Sequence, residues 1–88
     1  MTNYDKLPEH MRGTARRYVE DGIDPGGFLR AVLENNLTEA LGRADDTNRE
    51  AMAVWVGWLM WDIPAPAWGS PERVSKWILA RRGEAIGG

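Results

Sequence analysis

AMAVWVGWLMWDI, at residues 51–63, carries three of the chain's five tryptophans. If the segment is a helix, with 100° between successive residues, one face contains Ala51, Met52, Trp55, Trp58 and Leu59. Ile63 extends this face, and the apolar residues that lie well off it include Val54, Val56, Met60 and Trp61. A helix that is apolar on nearly all sides is normally enclosed, either by its own chain or partly by a second subunit or a ligand.

Turn and cap residues on both sides of this segment divide the chain into helices. Pro8 suits a first helical position, Gly22 suits a left-handed cap, and Ser70 before Pro71 suits a helix start. The loop IPAPAWGSPE stops the central helix because its prolines remove backbone donors. The pattern predicts helices over residues 8–21, 25–35, 37–41, 47–62 and 71–81, with Gly83 closing the last one.

These elements predict an all-α fold, a compact bundle of about four to five short helices around the tryptophan-rich central helix. Residues 1–88 are expected to form one helical domain, with residues 1–6 and 84–88 flexible. So small a chain has little interior in which to enclose three indoles on one segment. We therefore expect an oligomer, either a homodimer or a higher assembly.

Composition and charge weigh against several classes of protein. Hydrophobic residues at 43% and charged residues at 27% indicate a globular chain rather than a disordered one. A net charge of −2 argues against broad electrostatic binding to DNA, and the absence of cysteine excludes thiolate zinc sites and disulfides. The longest apolar stretch, residues 51–60, is too short to span a bilayer. We expect a cytoplasmic protein without membrane contact.

No residue pattern indicates catalysis. His10 is the only histidine, so there is no spaced pair of histidines to bind a metal. Ser70 is already explained as a helix cap. The turn at residues 24–27, Asp-Pro-Gly-Gly, offers bare amides to a phosphate, although close packing of another helix would explain the glycines as well. We predict a protein that is not an enzyme and that uses no metal or cofactor.

Arginine and tryptophan side chains are the candidates for binding. An arginine can pair bidentately with a phosphate or carboxylate and can stack on an indole. The residues predicted to bind a ligand or partner are Arg16, Arg17, Arg43, Arg49, Trp61 and Trp68. The residues predicted to be structural or to lie at an interface are Trp55, Trp58, Met60 and Trp77. For Trp68, in the proline-rich loop, plugging the end of the bundle is the competing interpretation.

Three segments resemble a family of small proteins encoded by tailed phages and prophages. They are LPEHMRGTARRYVEDG at residues 7–22, PGGFLRAVLENNLTEALGRADDTN at residues 25–48 and WGSPERVSKWI at residues 68–78. The resemblance covers nearly all of residues 7–79, and the shared positions include Gly27, Phe28, Leu29, Asp45, Asn48, Trp68, Gly69 and Ser70. It implies a phage origin and a role in the cytoplasm of an infected bacterium. The family has no established activity, so the resemblance assigns no functional residue.

Three hypotheses about function follow. The first is a non-catalytic binding protein that modulates the host in an anti-defence role, either by sequestering a small nucleotide signal or by blocking a host defence protein. The second is a regulator that binds nucleic acid through a helix-turn-helix, because the second and third predicted helices are short and adjacent. The single arginine in NLTEALGRA, residues 36–44, weighs against DNA as the partner. The third is a small structural protein of the virion.

Overall fold

The computed structural model describes residues 2–87 and, for residues 84–87, the backbone alone. Over this range the fold is an all-helical, compact bundle of 39 × 24 × 20 Å, as predicted. Its helices are α1 Arg12–Asp21, α2 Gly27–Leu33, α3 Leu37–Arg43, α4 Asp46–Glu50, α5 Met52–Trp61 and α6 Pro71–Gly87. Single 3-10 turns lie at Glu9–Met11 and Ala65–Ala67. The described residues thus form slightly more α-helices than the four to five predicted.

The first helix ends at the residue that the sequence predicts. Pro8 precedes the first 3-10 turn, and α1 continues from that turn to Asp21. Gly22 takes the left-handed conformation, with φ 68° and ψ 31°, and its N–H donates to the Tyr18 carbonyl over 3.1 Å. The predicted glycine cap is therefore confirmed.

Of the next two helices, the first is shorter than predicted by two residues at each end, and the second starts at Leu37 as predicted but ends two residues later. α2 begins at Gly27 rather than Pro25 and ends at Leu33. The Asp24 carboxylate accepts the Gly26 N–H over 3.0 Å, and so it closes a local turn instead of capping the helix. α3 passes through Gly42 to Arg43, because Gly42 keeps a helical backbone there.

The predicted helix over residues 47–62 is two helices, α4 and α5, joined by a bend at Ala51. Of the adjacent Asp45 and Asp46, either of which suits an N-cap, it is Asp45 that caps α4, since its carboxylate accepts the Asn48 N–H over 2.7 Å. The Trp55 indole N–H donates to the buried Asn48 Oδ1 over 3.3 Å. A straight helix would separate these two residues by ~10.5 Å along its axis. The bend shortens this distance, so the buried hydrogen bond favours the bend. The sequence pattern does not reveal this bond.

The last helix starts as predicted and ends later. The Ser70 hydroxyl accepts the Arg73 N–H over 3.2 Å and caps α6. The predicted end near Arg81, with Gly83 as the stop, is wrong, because α6 continues to Gly87. A glycine ends a helix when it takes a positive φ, and Gly83 is not among the glycines that do.

The two chain ends are described to different extents. Tyr4 and Leu7 are buried against the bundle, and the Lys6 ammonium pairs with the Asp62 carboxylate. The sequence predicts that residues 1–6 and 84–88 are flexible. Met1, Gly88 and the side chains of residues 84–87 lie outside the described part of the chain.

Two tryptophans of α5 form the centre of the core. Trp55 and Trp58 are fully buried, and their rings meet edge to face with centroids 5.7 Å apart. Phe28 of α2 packs on Trp55 in the same way, at 5.6 Å. The buried Tyr18 hydroxyl donates to the Ala67 carbonyl over 2.6 Å and ties α1 to the loop that follows α5. The prediction that these tryptophans lie in the core holds for Trp55 and Trp58, whereas Trp61 of the same helix is exposed.

Candidate ligand-binding face

Positive charge is concentrated on α1 and α6, two helices that pack against each other. Together they contain seven of the chain's eleven lysines and arginines and four of its thirteen acidic residues. The rest of the chain therefore carries the excess of negative charge. A small anion is attracted to the α1–α6 side of the molecule by this distribution.

One groove on this side lies between α6 and the 3-10 turn that follows α5. We name it the Trp77 groove, and it has a volume of about 480 Å³, within the range typical of small-molecule sites. Its lining residues are Ala65, Pro66, Arg73, Lys76, Trp77 and Ala80. This lining combines one indole and two cations with no acidic residue.

The Trp77 ring is held in a fixed orientation. Its indole N–H donates to the carbonyls of Tyr18 and Val19, over 3.3 and 3.2 Å, at the end of α1. The Arg81 guanidinium stacks over the ring, 4.4 Å from its centroid. The indole is half-buried, so part of it faces the groove. A ring that is already oriented loses little conformational freedom when a planar ligand packs on it.

Arg73 and Lys76 supply the positive charge of the groove. Both side chains are exposed, and neither forms an ion pair with any described side chain. The Arg73 guanidinium lies beside Gly69, where a Cβ would stand 3.2 Å from its Nη1. The missing side chain at Gly69, whose φ is 121°, thus leaves space for the guanidinium.

A second groove, of about 460 Å³, lies near the first but is less suited to an anion. The lining residues of this Tyr4 groove are Thr2, Tyr4, Arg16, Val19, Glu20, Pro64 and Arg81. The Glu20 carboxylate accepts the Tyr4 hydroxyl over 3.1 Å and lies 3.8 Å from the Arg16 guanidinium. Because Glu20 offsets the charge of Arg16, we regard the Trp77 groove as the better anion site.

Both tyrosines of the chain have raised pKa values, which gives a test of this packing. Burial and then the Glu20 carboxylate raise the pKa of Tyr4 to about 12, and burial raises the pKa of Tyr18 well above 10. The stability that both phenols contribute is therefore complete below pH 10 and is lost as the pH rises towards the folded values. We expect the phenolate absorbance of the folded protein to appear well above pH 10, whereas the unfolded chain titrates near pH 10. A folded-state midpoint at pH 10 would contradict the burial of these rings.

The predicted ligand-binding arginines are distributed over the surface. Arg16 lines the Tyr4 groove, and Arg17 is exposed on α1. Arg43 and Arg49 each pair with a carboxylate of their own helix, at 2.5 and 3.2 Å. Neither the Trp77 groove nor the Tyr4 groove contains more than one of the six residues predicted to bind a ligand or partner.

The aromatic and methionine candidates have different environments. Trp68 is half-buried and packs against the core. Trp61 is 78% exposed and Met60 is 54% exposed, both on α5. Trp77, predicted to be structural or to lie at an interface, both ties α6 to α1 and lines a groove.

His10 takes part in a cap rather than in a cluster of ligands. Its Nε2 lies 2.9 Å from the Asp45 carboxylate that caps α4. The Asn48 N–H and then His10 hold the pKa of Asp45 below its ordinary value. Among residues 2–83, no group of three or more His, Cys, Asp or Glu side chains is placed to hold a metal ion.

Arg73 and Lys76 are the groove residues that the sequence analysis missed. The signal for them was their spacing, because positions 73, 76 and 77 lie on one side of a helix. The other wall of the groove, Ala65 and Pro66, belongs to a different element. Its position opposite Trp77 depends on how the loop packs.

Comparison with protein-family models, with curated proteins and with solved structures finds no match to this chain. None of the described helices is both long enough and apolar enough to cross a membrane.

Proposed function

We propose that this chain is a non-catalytic binding protein that captures a small ligand with a planar ring and a negative charge, such as a nucleotide. The observation that carries the proposal is the Trp77 groove, in which a fixed indole lies beside two cations. Stacking of a base on an aromatic side chain stabilises a complex by about 1–3 kcal/mol. Arg73 and Lys76 are then the partners for the phosphate.

The charge distribution supports the same ligand class. The α1–α6 side attracts a small anion, whereas the remaining surface, which is negative overall, repels it. Because the two groove cations are exposed, their attraction is screened by salt. The affinity is therefore expected to fall as the ionic strength rises.

The resemblance to small phage proteins gives this activity a narrower form. Sequestering a nucleotide signal inside an infected cell would keep the signal from a host defence protein. Sequestration requires affinity and abundance but no chemical step. A groove that offers stacking and phosphate pairing is suited to it.

A second candidate function is the blocking of a host defence protein. The exposed apolar side of α5, with Trp61 and Met60, favours it because such surfaces commonly mark protein interfaces. The helix-turn-helix alternative has less support. α3, which would be its recognition helix, has Arg43 paired with Glu39 and exposes Leu37.

Calorimetric titration tests the nucleotide proposal directly. The probes are adenosine, AMP, cyclic AMP, cyclic dinucleotides and inorganic phosphate. We expect at least one nucleotide to bind, and we expect the double variant Arg73→Ala/Lys76→Ala to weaken it by at least about a hundredfold, because charge-assisted hydrogen bonds typically contribute about 1.5–3 kcal/mol each.

A matched double variant distinguishes the groove from general positive charge. Arg43→Ala/Arg49→Ala removes the same number of charges from helices outside the groove, so it should leave the affinity within about twofold. An equal loss in both double variants would show that the groove is not the site. No binding of any nucleotide would overturn the proposal.

A further inference from the structure

The outward side of α5 is entirely apolar. All ten residues of this helix are apolar or glycine, and only Trp55, Trp58 and Leu59 are buried. The α5 face consists of the other outward positions, Ala53, Val54, Val56, Gly57, Met60 and Trp61. A surface helix of a monomer normally has polar side chains on this side.

The α5 face continues onto α3. A narrow groove between the two helices is lined by Leu37, Met52 and Val56, among others, and Leu37 is 60% exposed. Leu41, one turn further along α3, is also exposed. From the fractional exposures and ordinary side-chain areas, this apolar surface measures about 600 Å². Covering it on two copies buries about 1,200 Å², the lower end of the range for stable interfaces.

The large and small side chains along the α5 face are ordered so that two copies of the face can fit together. Ala53, Gly57 and Trp61 form one row at intervals of four residues. When two copies of α5 cross antiparallel about a two-fold axis at Gly57, residue 61 of one copy faces residue 53 of the other. The largest side chain of the row then packs on a small one, twice.

Gly57 allows the two helices to approach closely. Apart from its chain neighbours and the backbone of its own helix, no described heavy atom lies within 4 Å of the position that a Cβ would take at Gly57. The distance between two packed helices depends on the side chains at their contact, and a glycine at the crossing point permits a short one. The α5 face contains no charged group that would orient an unlike partner.

We propose that the α5 face is the interface of a homodimer in which two copies of α5 cross antiparallel at Gly57. The interface shares no lining residue with the Trp77 groove. A result that disproves the dimer therefore leaves the nucleotide proposal unaffected, and a result that disproves the nucleotide site leaves the dimer unaffected.

The solution mass of the full chain tests this interface. We expect twice the 9.9 kDa of one chain at micromolar concentration. Gly57→Leu places a leucine at the crossing point and is expected to weaken self-association by at least about tenfold, because overpacking an interface is costly. The variant should keep its fold, since leucine favours helix and has open space there in a single chain. Circular dichroism checks this.

Gly83→Leu is the matched control. Gly83 also lies within a helix and is outside the α5 face, and beyond its own helical turn no described atom stands within 4 Å of the position that its Cβ would take. This variant should dimerise like the natural chain. A monomeric natural chain, or a Gly57→Leu variant that stays dimeric, would overturn the proposal, and a monomer would assign the α5 face to a different protein.

Cysteine cross-linking gives an independent result. The chain has no cysteine, so Gly57→Cys introduces a single thiol that meets its own copy on the two-fold axis. We expect this variant to form a disulfide-linked dimer under mild oxidation at least about tenfold faster than Gly83→Cys. Equal rates for the two variants would contradict the crossing at Gly57.

Discussion

Replacing Trp55 by alanine is expected to lower the free energy of unfolding by about 3–5 kcal/mol. Trp55 is fully buried between Phe28 and Trp58, and its N–H binds the buried Asn48. A domain of this length typically has a total stability of about 4–13 kcal/mol. The variant should therefore unfold at much lower urea concentration, as measured by far-ultraviolet circular dichroism.

Two phenylalanine variants separate the loss of packing from the loss of the hydrogen bond. Trp55→Phe and Trp58→Phe remove the same atoms from neighbouring buried sites. Trp55→Phe also leaves Asn48 Oδ1 without its indole partner, whereas the Trp58 indole N–H is buried without a partner among the described atoms. We expect Trp55→Phe to cost about 1–3 kcal/mol more than Trp58→Phe. Equal losses would mean that the Asn48 contact contributes little.

Replacing Gly22 by alanine is expected to cost about 2–5 kcal/mol, the sum of left-handed strain and overpacking. Gly22 has φ 68°, and a Cβ there would stand 2.6 Å from Arg81 Cβ and 2.7 Å from the Ile78 carbonyl oxygen. The carbonyl belongs to the backbone of α6, so α6 must move away from α1. Urea unfolding measures the loss of stability.

The same substitution is expected to disturb the Trp77 groove. Trp77 is oriented by carbonyls at the end of α1, three and four residues before Gly22. A shift of α6 should therefore weaken nucleotide binding in the Gly22→Ala variant even where it remains folded. The comparison is calorimetric titration of folded protein at low temperature.

Gly42→Ala is the control for this effect of glycine replacement. Gly42 lies within α3, and no atom lies within 4 Å of its Cβ position. Alanine should stabilise the chain there by up to about 1 kcal/mol, because it favours helix more than glycine does. A loss in Gly42→Ala similar to that in Gly22→Ala would show that close contact with α6 is not the cause.

The helix starts and stops that were predicted well depend on local interactions. The Asp45 and Ser70 caps each join side chain and backbone three residues apart, and the Gly22 cap joins backbone groups four residues apart. Such contacts are present in the sequence pattern itself. The end of α6 was predicted wrongly because a glycine permits a stop without requiring one.

The binding residues were harder to predict because binding depends on which side chains lie together in space. A list of arginines and tryptophans contains no information about which of them meet. Arg43 and Arg49 turn out to pair within their own helices, while Trp77 binds carbonyls 58 and 59 residues away along the chain. The Trp77 groove exists only because the loop after α5 packs beside α6.

The amino-acid order alone therefore determined that the chain is helical, where most helices begin, and that the segment at residues 51–63 contributes tryptophans to the core. These properties follow from periodicity and from neighbours within a few residues. Only the packing of distant segments decided that α5 leaves one apolar side uncovered and that an indole and two cations share a groove. Those features depend on contacts between parts of the chain whose distance in space no local pattern encodes.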